Sequence, residues 1–257
     1  MAGKSKTLSR RSFLKLTALG AIGLAFTTKR PPRSNSTLSY PQVIKSVPTP
    51  LPYFALTIDD GFDLDVLLEM VEILEKTGMT ATFFMVGRYS IRAERKYPGI
   101  MKRMAENGNE IAYHTMVHEK PDGAWQLDYL IGDYHTWLGH HYEILGEELY
   151  YKAVKPFARA PWDNFSKPFL RMCQHERLLP VSWSNDPGSF NRGQDIVCGD
   201  IFLIHVRESD LAYLHVFAEQ TGTQPVAFGK ILIAEHIRSL SEQVDRMPNR
   251  DHLPQMK

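Results

Sequence analysis

The feature that most constrains the fold is an apolar run, Phe54-Ala55-Leu56-Thr57-Ile58, that ends at Asp59-Asp60-Gly61. A short apolar run that stops at a turn residue is typical of a strand buried on both faces of an α/β protein. Successive side chains of a strand point to opposite sides, so the two carboxylates can face one site only if the backbone turns there. Gly61 allows such a turn. The sequence therefore predicts two carboxylates with different roles at the mouth of an α/β fold.

Beyond this run, strand-like and helix-like segments alternate along the chain. Helical spacing with flanking glycine or proline predicts helices over residues 65–76, 98–107 and 127–145. Short apolar segments predict strands over residues 80–86 and 110–113. Four further apolar segments follow, at residues 153–157, 179–183, 201–204 and 231–233. The alternation predicts a parallel sheet, and the number of repeats favours a barrel over an open sheet.

The charge of the chain is distributed unevenly. Residues 1–33 hold eight of the 30 basic residues and no acidic one, which leaves residues 34–257 with 22 basic and 29 acidic residues and a net charge of −7. An acidic body gives no support to nucleic-acid binding, and we expect no nucleic-acid partner. The two cysteines, Cys173 and Cys198, are compatible with a disulfide or with two buried thiols.

The first residues resemble a targeting signal. Ser9–Lys15 resembles the twin-arginine export signal, and the apolar stretch 16–26 that follows is shorter than the ~20 residues needed to span a bilayer. A basic arm beside a buried helix is the alternative, and we favour export. Ala25-Phe26-Thr27 fits the rule for signal cleavage only loosely, so an uncleaved membrane anchor stays open.

This resemblance implies a location and a partner. The twin-arginine machinery would export the protein to the periplasm, the cell wall or the medium. Because this machinery carries folded proteins, a metal could be bound before export. We expect membrane contact only through an uncleaved signal. Four segments are predicted: a signal at 1–33, a Pro-rich linker at 34–52, a catalytic domain at 53–242 and a polar tail at 243–257.

A pair of histidines suggests a metal site. His114 and His118 lie four residues apart, directly after the predicted strand 110–113. Two imidazoles and one carboxylate make three protein ligands and leave an open position for water on a zinc-like ion. Such a pair is a weak signal by itself. Together with Asp59-Asp60 at the end of an earlier strand it becomes a strong one.

These residues belong to a set of five motifs that resembles the polysaccharide deacetylase family, also called the NodB homology domain. Thr57–Gly61 is similar to T-F-D-D-G, and His114–His118 to H-[ST]-x-x-H. Arg159–Trp162 matches R-x-P-[YW], Trp183–Asp186 is a looser fourth motif, and Leu203–His205 matches L-x-H. The resemblance implies a distorted parallel (β/α) barrel with a single catalytic domain.

The resemblance also implies a metal centre and a base. Asp60, His114 and His118 would hold one divalent metal ion, with zinc expected and cobalt or another transition metal as alternatives. Asp59 would act as general base on water, and Arg159 opposite it would favour its ionised form.

The remaining motifs imply an acid and a substrate site. His205 would donate a proton to the leaving amine, and Asp186 would help to keep His205 protonated. Four residues would contact the substrate: Pro161, Trp162, Trp183 and Leu203. The fourth motif departs from the family because Pro187-Gly188 stand where a second aspartate-tryptophan pair is usual.

The function implied by the resemblance is removal of acetyl groups from N-acetylated sugars of a polysaccharide, such as peptidoglycan or a chitin-like polymer. Two alternatives stay open. The same fold and metal serve O-acetyl ester hydrolysis on xylan-like polymers and hydrolysis of small non-sugar amides. A non-catalytic glycan-binding protein that keeps the metal site is the other.

Overall fold

The protein is described here from a computed structural model, which covers residues 40–121, 125–219 and 222–245. In the last helix the side chains are described as far as residue 239. The predicted export signal and most of the predicted polar tail lie outside the described residues.

One parallel sheet organises the fold. Its strands are β1 (Tyr53–Asp60), β2 (Thr82–Met85), β3 (Glu110–Tyr113), β4 (Val154–Ala158), β5 (Leu179–Pro180), β6 (Ile201–His205) and β7 (Gln224–Val226). The strand order is β5-β4-β3-β2-β1-β6, and β7 also pairs with the first residues of β1. Every strand pair is parallel, and the sheet curls into a half-barrel with most of the helices outside it. The predicted distorted (β/α) barrel is confirmed.

Helices fill the connections between strands. They are α1 (Leu64–Thr77), α2 (Gly87–Lys96), α3 (Ile100–Glu106), α4 (Leu127–Leu145), α5 (Glu147–Ala153), α6 (Lys167–Glu176), α7 (Pro187–Asn191), α8 (Glu208–Glu219) and α9 (Phe228–Asp245). No described helix is both long enough and apolar enough to cross a membrane.

The sequence predicted three of the nine described helices, α1, α3 and α4, and did not predict the other six. Helix α1 ends at Gly78, which has the left-handed conformation expected of a C-cap. Helix α2 was missed because its apolar residues, Tyr89, Ile91 and Ala93, recur at every second position, which is the spacing of a strand and not of a helix. The apolar segment 231–233 lies within helix α9 and not in a strand.

The sheet separates two layers of core. Phe54, Leu56 and Ile58 of β1 pack outward against the helices. The alternate residue Ala55 belongs to a smaller inner core, which helix α9 fills with Phe228. Because strand side chains alternate, Asp59 falls on the inner face together with Ala55, at the end of the strand where the barrel opens.

Residues 44–47 act as a strap between the two ends of the sheet. Ile44 accepts a hydrogen bond from Ser182 N at 2.8 Å and donates its own N–H to Pro180 O at 2.9 Å, beside β5. Val47 N donates to Gly199 O at 2.8 Å, just before β6. We predicted a linker over residues 34–52, but from Tyr40 onward this stretch belongs to the compact body of the protein.

Candidate active site

The backbone turn at the end of β1 brings both aspartates to one cavity. Asp60 has a φ of 78° and Gly61 a φ of 93°, so the turn begins one residue earlier than we predicted. A positive φ costs about 1–3 kcal/mol for a residue with a side chain and persists where the surroundings impose it. Both carboxylates are largely buried and line the same cavity.

Arg159 forms a buried salt bridge with Asp59. The guanidinium is fully buried, and its Nη1 donates to Asp59 Oδ1 at 2.7 Å and to Thr57 Oγ1 at 2.9 Å. Its other nitrogens donate to the carbonyls of Val181 and Ser182 at 3.1 and 2.8 Å. Asp59 is thereby fixed through one oxygen, and its Oδ2 faces His114 Nε2 at 3.8 Å.

Asp60, His114 and His118 form the one group of metal-ligand type found among the described residues. One atom from each lies within 4.8 Å of the others. Asp60 Oδ1 is 3.4 Å from His114 Nε2 and 3.0 Å from His118 Nε2, yet it is buried without a hydrogen-bond partner. His114 Nδ1 lies 2.8 Å from Arg159 O, which fixes the proton on Nδ1 and leaves the Nε2 lone pair directed at the group. This donor set fits a divalent cation.

Electrostatics agree with a cation at this position. Burial raises the pKa of Asp60, but the imidazoles of His114 and His118 outweigh burial and hold that pKa well below its ordinary value. Burial lowers the pKa of His114, and the carboxylates of Asp59 and Asp60 raise it by more. The two carboxylates thus attract positive charge that Arg159 alone does not supply.

The loop from His114 to His118 is held from two sides. Its residues Thr115 and His118 have positive φ values of 63° and 57°. Thr115 Oγ1 accepts the His118 N–H at 3.1 Å within the loop. From helix α4, the largely buried Asp133 accepts the Met116 N–H at 3.0 Å, and it also accepts the hydroxyl of Tyr113.

His205 lies at the end of β6, across from Asp59 in the strand register. Its Nδ1 is buried and unpaired, 4.0 Å from Oδ2 of Asp210 on helix α8. We predicted that Asp186 would support His205, but the structure does not bring them together. Asp186 instead caps helix α7 by accepting the Ser189 N–H at 2.7 Å, because Pro187 starts that helix directly after it.

The cavity gathers most of the predicted substrate-contacting residues. Trp162, Trp183 and Leu203 line it, and Pro161 starts the short 3₁₀ turn that carries Trp162. Trp162 is 71% exposed and lies against His118, with ring centroids 5.4 Å apart. An exposed indole beside the metal group offers a flat apolar face to a ligand.

Some residues around the cavity were not predicted from the sequence. Phe62, Asp163 and Arg207 line it, and Asp210 lies behind Arg207 with 1% exposure. Phe62 and Asp163 directly follow predicted motifs, and this adjacency was a sequence signal that they would line the cavity. Arg207 and Asp210 follow the last motif in a stretch with no recognisable pattern.

The two cysteines do not form a disulfide. Cys173 is buried in helix α6 and Cys198 is exposed, and both are free thiols. Burial raises the pKa of Cys173 to about 12, so this thiol stays protonated and unreactive at neutral pH.

Fold and site together define a class: a parallel barrel with an Asp-His-His metal group and a second, arginine-bound carboxylate where the strands end. The family model described as Polysaccharide deacetylase matches residues 46–130. A peptidoglycan-N-acetylglucosamine deacetylase of Bacillus cereus is 36% identical over 195 residues, which are 72% of this chain and 83% of the relative. The chain therefore belongs to the polysaccharide deacetylase family.

Two other similarities agree with the family. A chitooligosaccharide deacetylase of Sinorhizobium fredii is 28% identical over 184 residues, 69% of this chain and 78% of the relative. The crystal structure of a CE4 family pseudoenzyme from Bacillus anthracis superimposes with a TM-score of 0.62 and 18% identity over 75% of this chain and 69% of that one. At that identity the structural similarity shows the fold alone.

Proposed function

We propose that the protein is a metal-dependent hydrolase that removes acetyl groups from N-acetylated sugars of a polysaccharide. The observation that carries this proposal is the single cavity in which Asp59, the Asp60–His114–His118 group and His205 meet. The Bacillus cereus and Sinorhizobium fredii relatives, named for deacetylation of peptidoglycan and of chitooligosaccharide, support a polymer or oligomer of N-acetylglucosamine as substrate.

Asp59 would act as the base. Arg159 occupies its Oδ1, so Oδ2 is free to take a proton from a water molecule in the cavity. The oxygen of that water adds to the acetamide carbonyl carbon. The fork of Arg159, bonded also to two backbone carbonyls, keeps the carboxylate ionised and stationary during the proton transfer.

His205 would act as the acid. Breaking the C–N bond requires a proton on the amine nitrogen, because an amide anion is a very poor leaving group. The His205 side chain is 34% exposed, and it lines the cavity near the end of the strand that carries Asp59. Donation of its proton as the bond breaks yields acetate and the free amino sugar.

Asp60, His114 and His118 would hold the metal, for which we propose zinc. When bound, a divalent cation supplies Lewis acidity: it lowers the pKa of a bound water to about 7 and polarises a carbonyl oxygen. Two imidazole nitrogens and one carboxylate oxygen suit zinc, and cobalt accepts the same ligands.

We also propose that the protein works outside the cytoplasm, after export by the twin-arginine machinery. The support is the sequence Ser9–Lys15, which lies outside the described residues. Replacing Arg10 and Arg11 by lysine and fractionating cells tests this proposal. Unchanged export of the double variant would contradict it.

The decisive experiment measures acetate release from N-acetylglucosamine oligomers by purified protein, stripped of metal and reloaded with zinc or cobalt. We expect activity to follow the metal and to fall at least ~100-fold in Asp59→Asn and in His205→Ala. Folded, metal-loaded protein that releases no acetate would overturn the proposal. Release from O-acetylated xylan alone would favour an esterase.

A further inference from the structure

We propose that Asp210 is the positioning residue for His205: it accepts the Nδ1 proton of the imidazole and so presents Nε2 to the leaving amine. This inference rests on the proposed function, in which His205 is the acid. It assigns to Asp210, on helix α8, the support of His205 that we had predicted for Asp186.

The Asp210 carboxylate is built into its place. It is 1% exposed, and its Oδ1 accepts hydrogen bonds from Arg207 Nε at 2.9 Å and Ser209 Oγ at 3.1 Å. Its Oδ2 accepts the backbone N–H of His205 at 2.8 Å. A carboxylate oxygen has room for two donors, so Oδ2 can accept one more on the side where the His205 ring lies.

The ring of His205 has a matching need. Its Nδ1 is buried and has no hydrogen-bond partner, and it lies 4.0 Å from Asp210 Oδ2. A contact of this length closes by a small rotation of the ring or through one water, and catalytic hydrogen bonds often tighten only with substrate present. With Nδ1 buried on one edge, the edge that carries Nε2 is the one left toward the cavity.

Asp186 does not compete for this part. One of its oxygens caps helix α7 through the Ser189 N–H, and the residue is absent from the cavity lining. Among the described residues, Asp210 supplies the carboxylate that approaches a His205 nitrogen within 4.0 Å.

Other charges face His205 and decide what Asp210 can do. Arg207 pairs with Oδ1 of Asp210 and offsets part of its charge, and Asp59 lies across the strand register from His205. Asp210 therefore acts mainly by orienting the ring: it holds one proton on Nδ1, so that the imidazolium donates its second proton from Nε2 and the neutral ring left behind keeps its proton on Nδ1. Because Asp210 acts through the acid His205, its loss should slow mainly those reactions whose leaving group needs a proton.

The test compares two substrates that differ in their need for an acid. An N-acetylated sugar oligomer has a leaving amine that must be protonated, whereas 4-nitrophenyl acetate releases a stable phenolate. In metal-loaded Asp210→Asn we expect kcat for the amide to fall about 10–100-fold with KM unchanged, and kcat for the ester to change less than about threefold. Glu208→Gln, an exposed carboxylate in the same helical turn, is the matched control.

A double variant shows whether Asp210 acts through His205. Asp210→Asn in the His205→Ala background should lose no further amide activity, because the two residues act as a unit. A general structural defect would instead lower both substrates' rates and add to the effect of His205→Ala. Asp186→Asn runs alongside, and a selective amide defect there but not in Asp210→Asn would overturn the assignment.

A measurement on the unmutated protein is independent of activity and of any folding defect in a variant. ¹⁵N NMR of the histidine rings should find neutral His205 with its proton on Nδ1. A proton on Nε2 would refute the proposal even if the enzyme is active. Absence of all acetate release, with the Nδ1 tautomer present, would instead count against the proposed function alone.

Discussion

At the scale of single residues, Arg159 has the most demanding environment. It is a fully buried cation whose three nitrogens donate to two backbone carbonyls, a hydroxyl and the Asp59 carboxylate. Its guanidinium also lies 4.1 Å from the ring centroid of Phe84. A planar fork meets all of these partners at once, which a lysine ammonium cannot do.

We therefore expect Arg159 to matter for stability as well as activity. Arg159→Met leaves Asp59 as a buried, unpaired carboxylate, so the free energy of unfolding at pH 7 should fall by about 3–5 kcal/mol. Urea unfolding measures this change. The exposed Arg171→Met should stay within ~0.5 kcal/mol of the unmutated protein. A cost below ~1 kcal/mol for Arg159→Met would contradict the argument.

At the scale of elements, the loop from His114 to His118, which follows β3, carries two of the three residues that could hold a metal ion. Helix α2 donates two N–H groups into this loop, from Gly87 to Thr115 O at 2.9 Å and from Arg88 to Met116 O at 3.0 Å. Asp133 on helix α4 accepts the Met116 N–H from the opposite side. The loop is thus fixed between two helices, with a candidate metal-binding histidine at each end.

This arrangement predicts that Asp133 tunes metal affinity without touching the metal. Asp133→Ala removes the acceptor for Met116 N–H and lets His118 move, so the Kd for zinc should rise about 10–100-fold. Asp133→Asn keeps one acceptor oxygen and should show a smaller rise. Competition with a chelator measures Kd, and the exposed Asp128→Asn on the same helix is the control. A folded Asp133→Ala with unchanged affinity would refute the prediction.

The same contacts show what sequence can and cannot reveal here. Asp59, Asp60, His114 and His118 were predictable because each lies at or just after a strand end within a recognisable spacing. Asp210 was not, because no motif covers the stretch after His205, although its partners lie within five residues along the chain. Asp133 was not either, since its bonds to Tyr113 and Met116 are set by how helix α4 packs onto the barrel. A motif counts positions along the chain, whereas these bonds depend on a rotation and a translation of whole elements.

Asp186 illustrates the opposite error. It stands where the looser fourth motif offered a carboxylate, and the following proline and glycine were read only as a departure from the pattern. In the structure those residues begin helix α7, and Asp186 serves as its cap. Local capping chemistry, which the sequence did contain, decided the position of this side chain.

At the scale of the whole molecule, stability is coupled to pH through His141, a histidine that does not line the cavity. His141 is fully buried, with Nδ1 bonded to Trp137 O at 2.8 Å and Nε2 to Ser90 Oγ at 3.0 Å. Burial lowers the pKa of His141 to about 4, from an ordinary value of 6.5. The folded protein therefore holds this ring neutral where the unfolded chain would charge it.

The sign of the effect follows from linkage. Between pH 6.5 and 4 the unfolded state binds more protons at this residue, so the free energy of unfolding falls with falling pH, by about 3 kcal/mol in all. Urea unfolding across this range should show the loss in the unmutated protein and in the exposed control His215→Gln. In His141→Gln that part of the pH dependence should disappear. An unchanged pH profile in His141→Gln would assign the loss to other groups.

The strap at residues 44–47 has a consequence for how the chain can be shortened. Every residue of the cavity lies after Tyr53, so a protein beginning there would keep the whole site. It would also expose the backbone groups of Pro180, Ser182 and Gly199 that the strap now pairs. Unpaired strand edges promote association between chains, so the shortened protein should aggregate, which light scattering would detect. The shortened protein would then lose its solubility although every residue of the cavity is still present.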